Sequence, residues 1–192
     1  IRDRTRTTRE DVVTAAGRLF AADGYDGTSM RDLGREVGLL GSSLYAHVEG
    51  KQELLVEIVM RGSVLFEDSA REAVATPGTA RDQLRAFIAG HVGVVLGHLD
   101  VARTFLNEAR ALDPGHRAQV IAARDAYEGT LRAILAAGIQ DGSFRAGLDP
   151  KLEGIFILSI LNAIDRWYQA DGVIEPDRLV DELYGFVLAG LS

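Results

Sequence analysis

The chain of 192 residues contains no cysteine. That absence excludes disulfides, Cys-ligated zinc, iron–sulfur clusters and a thiol nucleophile, and it suits the cytoplasm, the expected location. Long apolar runs are missing too. The longest uncharged ones, Phe87 to Leu99 and Gly154 to Ile164, fall short of the about 18 residues that a membrane span needs, so no membrane partner is expected. The opening IRDRTRTTRE is basic but leads into no apolar stretch, and it does not read as a secretory signal. The chain begins at Ile1 rather than methionine, so a natural start further upstream is expected. No HExxH, GxSxG, Walker A or GxGxxG pattern occurs. The Glu-x-x-His motif of metal-binding bundles is also absent, since Leu44, Ile88, Val95 and Asp113 stand three before the four histidines. No catalytic residue, metal or cofactor is therefore expected, and the protein does not read as an enzyme. A metal-free helical enzyme, or a helical small-molecule-binding protein with no regulatory role, is the competing class.

What is present is helical periodicity almost throughout. Pro77, Pro114, Pro150 and Pro176 are the only prolines, and each stands where a helix boundary is wanted. The fold class that follows is all-α, with about nine helices. Thr7 and Glu10 form a capping-box pattern ahead of Val12, Val13, Ala16, Leu19 and Phe20, and Asp23-Gly24 stops that helix. Thr28 is the expected N-cap of a short second helix carrying Met30, Leu33 and Val37, and Gly38 supplies the turn after it. A third short helix is expected over Ser42 to His47. Lys51 opens a long fourth one with Leu54, Leu55, Ile58, Val59 and Leu65 on its buried side. Beyond Pro77-Gly78 the helices are longer and their apolar faces broader, including one that runs from Asp149-Pro150 to about Ala170.

Charge divides the same way. The net charge is −7, yet residues 1 to 51 hold 8 Lys/Arg and 8 Asp/Glu, so the whole excess of acid lies in the later part. A tri-helical head with a glycine-containing turn is the arrangement that inserts a helix into the DNA major groove. The hydroxyl and amides at Thr28 and Ser29 and the charge of Lys51 suit phosphate, as do the phenol of Tyr45 and the imidazole of His47. Leu44 and Val48 are expected to face inward. Double-stranded DNA is the expected partner.

The stretch RDLGREVGLLGSSLYAHVEGKQELL resembles the helix-turn-helix signature of the TetR family of transcriptional regulators. The likeness covers about residues 8 to 60, with Phe20, Gly24-Tyr25, Thr28, Leu33, Gly38, Leu44-Tyr45, His47 and Lys51 to Leu55 in the family's order. It implies a DNA-binding domain at 1–50 and an effector-binding and dimerisation domain at 51–192. It further implies a repressor of an inverted-repeat operator, released by a small hydrophobic or acyl-CoA-type effector. The recognition helix departs from the family pattern. Leu40 and Gly41 replace the usual cap and cation, leaving Ser42 and Ser43 as ambivalent hydroxyls, so base reading is poorly provided for. Arg2, Arg4, Arg6 and Arg9 are expected to supply an arm along phosphate or into the minor groove, a disordered tail being the alternative.

In the later part, family likeness implies a homodimer made by the last two long helices, with Ile155, Leu158, Leu179, Leu183, Phe186 and Val187 as the interface; filling of the subunit's own core is the alternative. Polar or aromatic residues on apolar helices are the effector candidates. His91 and His98, seven apart, are expected on one face, and Phe87, Phe105 and Tyr127 as cavity walls. Asn162, Arg166 and Trp167 resemble the ending of family members that respond to acyl-CoA esters, where Arg166 pairs with an anion and Trp167 stacks. Arg103, Arg110, Arg117 and Arg124 are candidates for a cationic mouth.

Overall fold

A computed structural model describes residues 8–39, 41–168 and 174–192, with only the backbone of Gly41 and Ser42. Among the described residues there is no strand, and eight helices are longer than one turn: α1 Arg9–Asp23, α2 Met30–Glu36, α4 Lys51–Ala75, α5 Ala80–Gly97, α6 Leu99–Asn107, α7 Pro114–Gln140, α8 Pro150–Asn162 and α10 Pro176–Leu191. Two single α-turns, α3 Gly41–Leu44 and α9 Ile164–Trp167, and a 3-10 turn at Ala109–Ala111 complete the helical order. The all-α expectation holds. No single helix among the described residues is long and apolar enough to cross a membrane.

The described residues fall into two compact units. One holds those up to Gly62 together with Asp100–Val120; the other holds Ser63–Leu99 together with those from Ile121 onward. This division is discontinuous, because α4 and α7 each contribute to both units.

In the first unit, α1 starts one residue later than its sequence suggests. Thr8, not Thr7, is the N-cap, and its hydroxyl and backbone exchange hydrogen bonds with Asp11 rather than Glu10. Val12, Val13, Ala16 and Phe20 are buried as the periodicity predicts, with Leu33, Leu44, Val48, Leu54, Leu55 and Ile58 beside them. Each of these side chains other than Ala16 contributes about 1.5–3 kcal/mol on leaving water. After α2, Gly38 takes φ 70°, which lets the Leu39 amide donate back to the Gly34 carbonyl at 2.8 Å. The third helix is shorter than expected. One α-turn ends at Leu44, and the chain continues in hydrogen-bonded turns through Ala46 and His47.

In the second unit, Thr79 caps α5 through a capping box with Asp82. Helix α10 packs against α5, with Leu179, Val180, Leu183, Val187 and Leu191 forming the buried stripe of α10. The Arg85 guanidinium meets Asp181 across that pair at 2.6 Å. The helix from Pro150 ends at Asn162, and a turn at Ala163 separates it from α9, so it does not run through to Ala170. On α4, Phe66 is buried and Leu65 only half-buried, the reverse of the expectation for Leu65.

Candidate functional site

In the head, two neighbouring residues divide the work expected of one. Ser29, not Thr28, is the N-cap of α2, closing a capping box with Asp32. Thr28 is buried instead, and its hydroxyl donates to the Gly24 carbonyl at 2.9 Å. Lys51 is likewise turned inward. Its ammonium donates to the carbonyls of Tyr25 and Thr28 at 2.7 and 2.8 Å and lies 4.0 Å over the Tyr25 ring. The charge expected to meet phosphate at the start of α4 is therefore committed to the loop before α2. The Tyr25 hydroxyl donates to Gln52 at 2.9 Å, and its ring meets Phe20 edge-on. The residues that carried the family likeness, Phe20, Gly24-Tyr25, Thr28 and Lys51-Gln52, thus form one tie between the α1–α2 loop and α4.

Beyond that tie the head presents a polar face. Leu44 and Val48 are buried, as expected, while Ser43 and Tyr45 face solvent and His47 is half-buried. Ser29 is exposed beside Arg31, an exposed cation on α2 that the sequence reading passed over; its signal was its place in the first turn after a cap. Arg6, with Arg2, Arg4 and Leu40, lies outside the described residues, as do the side chains of Gly41 and Ser42. Arg9 does not belong to an arm. As the first residue of α1 it bonds Glu53 and Glu57 of α4, both at 2.6 Å. Arg61 extends the ladder by gripping Glu10 with both guanidinium nitrogens at 2.6 and 2.7 Å. Those bonds hold the Glu10 and Glu53 carboxyls below their ordinary range.

In the second unit, α4, α5 and α7 bring Phe66, Phe87, His91 and Tyr127 together. The Tyr127 ring lies 4.7 Å from Phe87 and 5.5 Å from Phe66, and Phe66 lies 5.0 Å from His91. His91 Nδ1 and the Tyr127 hydroxyl are 3.1 Å apart. Ser69, whose hydroxyl donates to the Phe66 carbonyl, also reaches the Tyr127 hydroxyl. Close approach of α5 to α4 depends on Gly90, where a Cβ would stand 3.1 Å from Ser69 Cβ. His91 is 1% exposed, and burial drives its pKa down to about 3, the Leu161 backbone opposing the shift weakly. Its Nε2 is buried outside hydrogen-bonding geometry. Burial also raises the Tyr127 pKa, so both groups stay neutral. Along α4 and α7 lies a cavity of about 500 Å³ with Tyr127 in its wall.

Of the effector candidates, the structure thus joins Phe87, His91 and Tyr127. Phe66 and Ser69 were missed, although Phe66 stands one heptad after Val59 and shares its face. Phe105 belongs to the first unit, buried against Gly62. His98 caps the end of α5 and is exposed, so it does not share the buried face of His91. Asn162 is half-buried at the end of α8; Arg166 and Trp167 face solvent from α9. The supposed cationic mouth divides, with Arg103, Arg110 and Arg117 in the first unit and Arg124 in the second.

Leu179, Leu183 and Val187 are buried within the subunit on the α5 side of α10, which corrects their assignment to a partner-facing surface. Ile155 and Phe186 are exposed and Leu158 is half-buried, with Leu152 and Phe156 adding to the apolar surface of α8.

Two family models match this chain: "Bacterial regulatory proteins, tetR family" over residues 12–58, and "Tetracyclin repressor-like, C-terminal domain" over residues 77–191. The chain belongs to the TetR family. It is 28% identical over 187 residues to the HTH-type transcriptional repressor KstR2 of Rhodococcus jostii, covering 96% of this chain and 91% of that one. It is similar in structure to the TetR-family regulator PfmR from Thermus thermophilus, with 31% identity, a TM-score of 0.84, and 94% and 98% of the two chains covered. AibR, solved in complex with isovaleryl coenzyme A and operator DNA, is 25% identical with a TM-score of 0.82, covering 96% and 97%.

Proposed function

We propose that this TetR-family chain is a ligand-responsive, homodimeric repressor, with residues 1–50 as its DNA-binding domain and 51–192 as its effector-binding and dimerisation domain. It acts in the cytoplasm and not as an enzyme. The observation that carries this reading is the head: the Lys51 and Tyr25 tie fixes the loop before α2 while Arg31, Ser43 and Tyr45 face solvent, where an operator would lie. Two half-sites require two heads, so the operator is an inverted repeat. Ile155, Leu158 and Phe186, with Leu152 and Phe156, are apolar residues available to a partner copy.

The effector is a small hydrophobic or acyl-CoA-type molecule received at Phe87, His91 and Tyr127; the isovaleryl coenzyme A in the AibR complex supports that class. Because α4 belongs to both units, an effector that favours one position of this helix shifts the population between operator-binding and released states. It must prefer the released state by a few kcal/mol to be useful. Fluorescence anisotropy on the DNA upstream of the protein's own gene, against a scrambled duplex at one salt concentration, tests the reading. A preference of about 10³ or more, lost on adding acyl-CoA, is the expected result. Equal weak binding to both duplexes favours the helical small-molecule binder without a regulatory role.

A further inference from the structure

Lys51 is set into the head more deeply than a surface cation requires. It is half-buried at the first position of α4, and of the three donors on its ammonium two go to the carbonyls of Tyr25 and Thr28. The Tyr25 carbonyl also accepts from the Thr28 amide at 3.2 Å, so both of its lone pairs are used. Thr28 is 3% exposed, and its hydroxyl closes the loop onto Gly24. Ser29, the cap of α2, follows at once, so the second carbonyl that Lys51 holds is the one directly before that cap.

The effect of that grip runs along the backbone. From Ser29 the chain passes through α2 to the Gly38 turn, where the Leu39 amide returns to Gly34, and then into α3 with Ser43 and Tyr45 facing solvent. A shift of the loop before α2 displaces this whole face relative to α4. Base edges are read only from a fixed register, whereas attraction to phosphate is independent of sequence. A side chain kept for phosphate has no need of two internal acceptors and an aromatic ring. Arg31, exposed in the first turn of α2, is of the uncommitted kind that phosphate requires, and Lys51 is not.

We infer that Lys51, with Tyr25, is a positioning residue for operator recognition and not a phosphate contact. It holds the start of α2 at the start of α4 and so sets the sequence preference of the head, leaving its electrostatic attraction to DNA to other cations. The inference rests on reading the head as the DNA-binding part of the chain, and it assigns the role of one of its residues.

Lys51 and Lys151 are the only lysines of the chain and Lys151 is exposed, so acetylation of the DNA-free protein, read by mass spectrometry, carries its own reference. Lys51 is expected to label at least ~10-fold more slowly. Anisotropy then compares wild type, Lys51→Met and Tyr25→Phe, each checked for folding by circular dichroism, on the upstream and scrambled duplexes across a salt series. Lys51→Met lowers the preference for the upstream duplex at least ~10-fold, and Tyr25→Phe, which removes no charge, lowers it ~2- to 5-fold. The salt slope on the scrambled duplex stays at the wild-type value, whereas loss of a phosphate contact lowers it by about one. Equal labelling of the two lysines overturns the proposal. So does a slope lowered by about one in Lys51→Met, or undiminished preference in either folded variant. If Lys51→Met does not fold, the labelling and Tyr25→Phe decide. Where the wild type prefers neither duplex the regulatory reading falls, and the labelling and the salt slope still decide this one.

Discussion

His91 is an imidazole that the fold keeps from charging. Its neighbours Phe66, Phe87, Tyr127 and Ser69 carry no charge, and burial places its pKa at about 3 against ~6.5 in the unfolded chain. The unfolded state therefore binds the extra proton first as pH falls. The stabilisation is complete above pH ~6.5 and is lost progressively toward pH ~3, with a slope of up to about 1.4 kcal/mol per pH unit. Urea unfolding of the wild type and of His91→Gln from pH 4 to 8 should diverge in that direction, the variant showing the flatter curve below pH ~6.5. Parallel curves contradict a buried neutral imidazole. Lys51, half-buried, is held by geometry: it gives hydrogen bonds to two carbonyls and lies over the face of an aromatic ring.

Among the elements, α2 depends most visibly on its first residue. It has seven residues, too few for stability on its own, and Ser29 supplies the side chain that satisfies an open amide at its start. Ser29→Ala should cost about 1 kcal/mol, whereas Ser29→Thr should preserve the cap. Chemical denaturation of both variants checks this, and equal losses would remove the cap as the explanation. The start of α1 is held differently. Its cap at Thr8 is followed by the ladder through Arg9, Glu10, Glu53, Glu57 and Arg61, whose members are partly exposed, so it orients α1 on α4 more than it stabilises the unit. Thr7 and Thr8 offer the same hydroxyl, and the reciprocal bonds with Asp11 place the cap at Thr8.

On the scale of the whole molecule, α10 separates what holds a subunit together from what is left for a second copy. Leu183 is 9% exposed and Phe186 68%, although both are apolar and three positions apart. Phe186→Glu should turn the proposed dimer into monomers by sedimentation velocity with helicity unchanged. Leu183→Glu should instead unfold the second unit, because it places an unpaired carboxylate against α5 at a cost of more than about 3 kcal/mol. A dimer that persists in Phe186→Glu excludes this face as the interface.

The sequence by itself determined the helices, most of their ends and the family. Those features depend on residues three or four apart, such as Thr79 with Asp82 or Leu44 with Val48, or on a turn such as Gly38, and neighbours along the chain suffice to specify them. The tertiary structure decided which apolar face meets which. Phe66, 25 residues before His91 and 61 before Tyr127 in the numbering, joins them only because α4, α5 and α7 converge there. The inward turn of Lys51 and the assignment of Leu179, Leu183 and Val187 to the subunit's own core have the same origin. Periodicity marks a face as apolar, and burial of that face lowers the free energy equally well against a neighbouring helix or a second subunit, so only the packed chain distinguishes them.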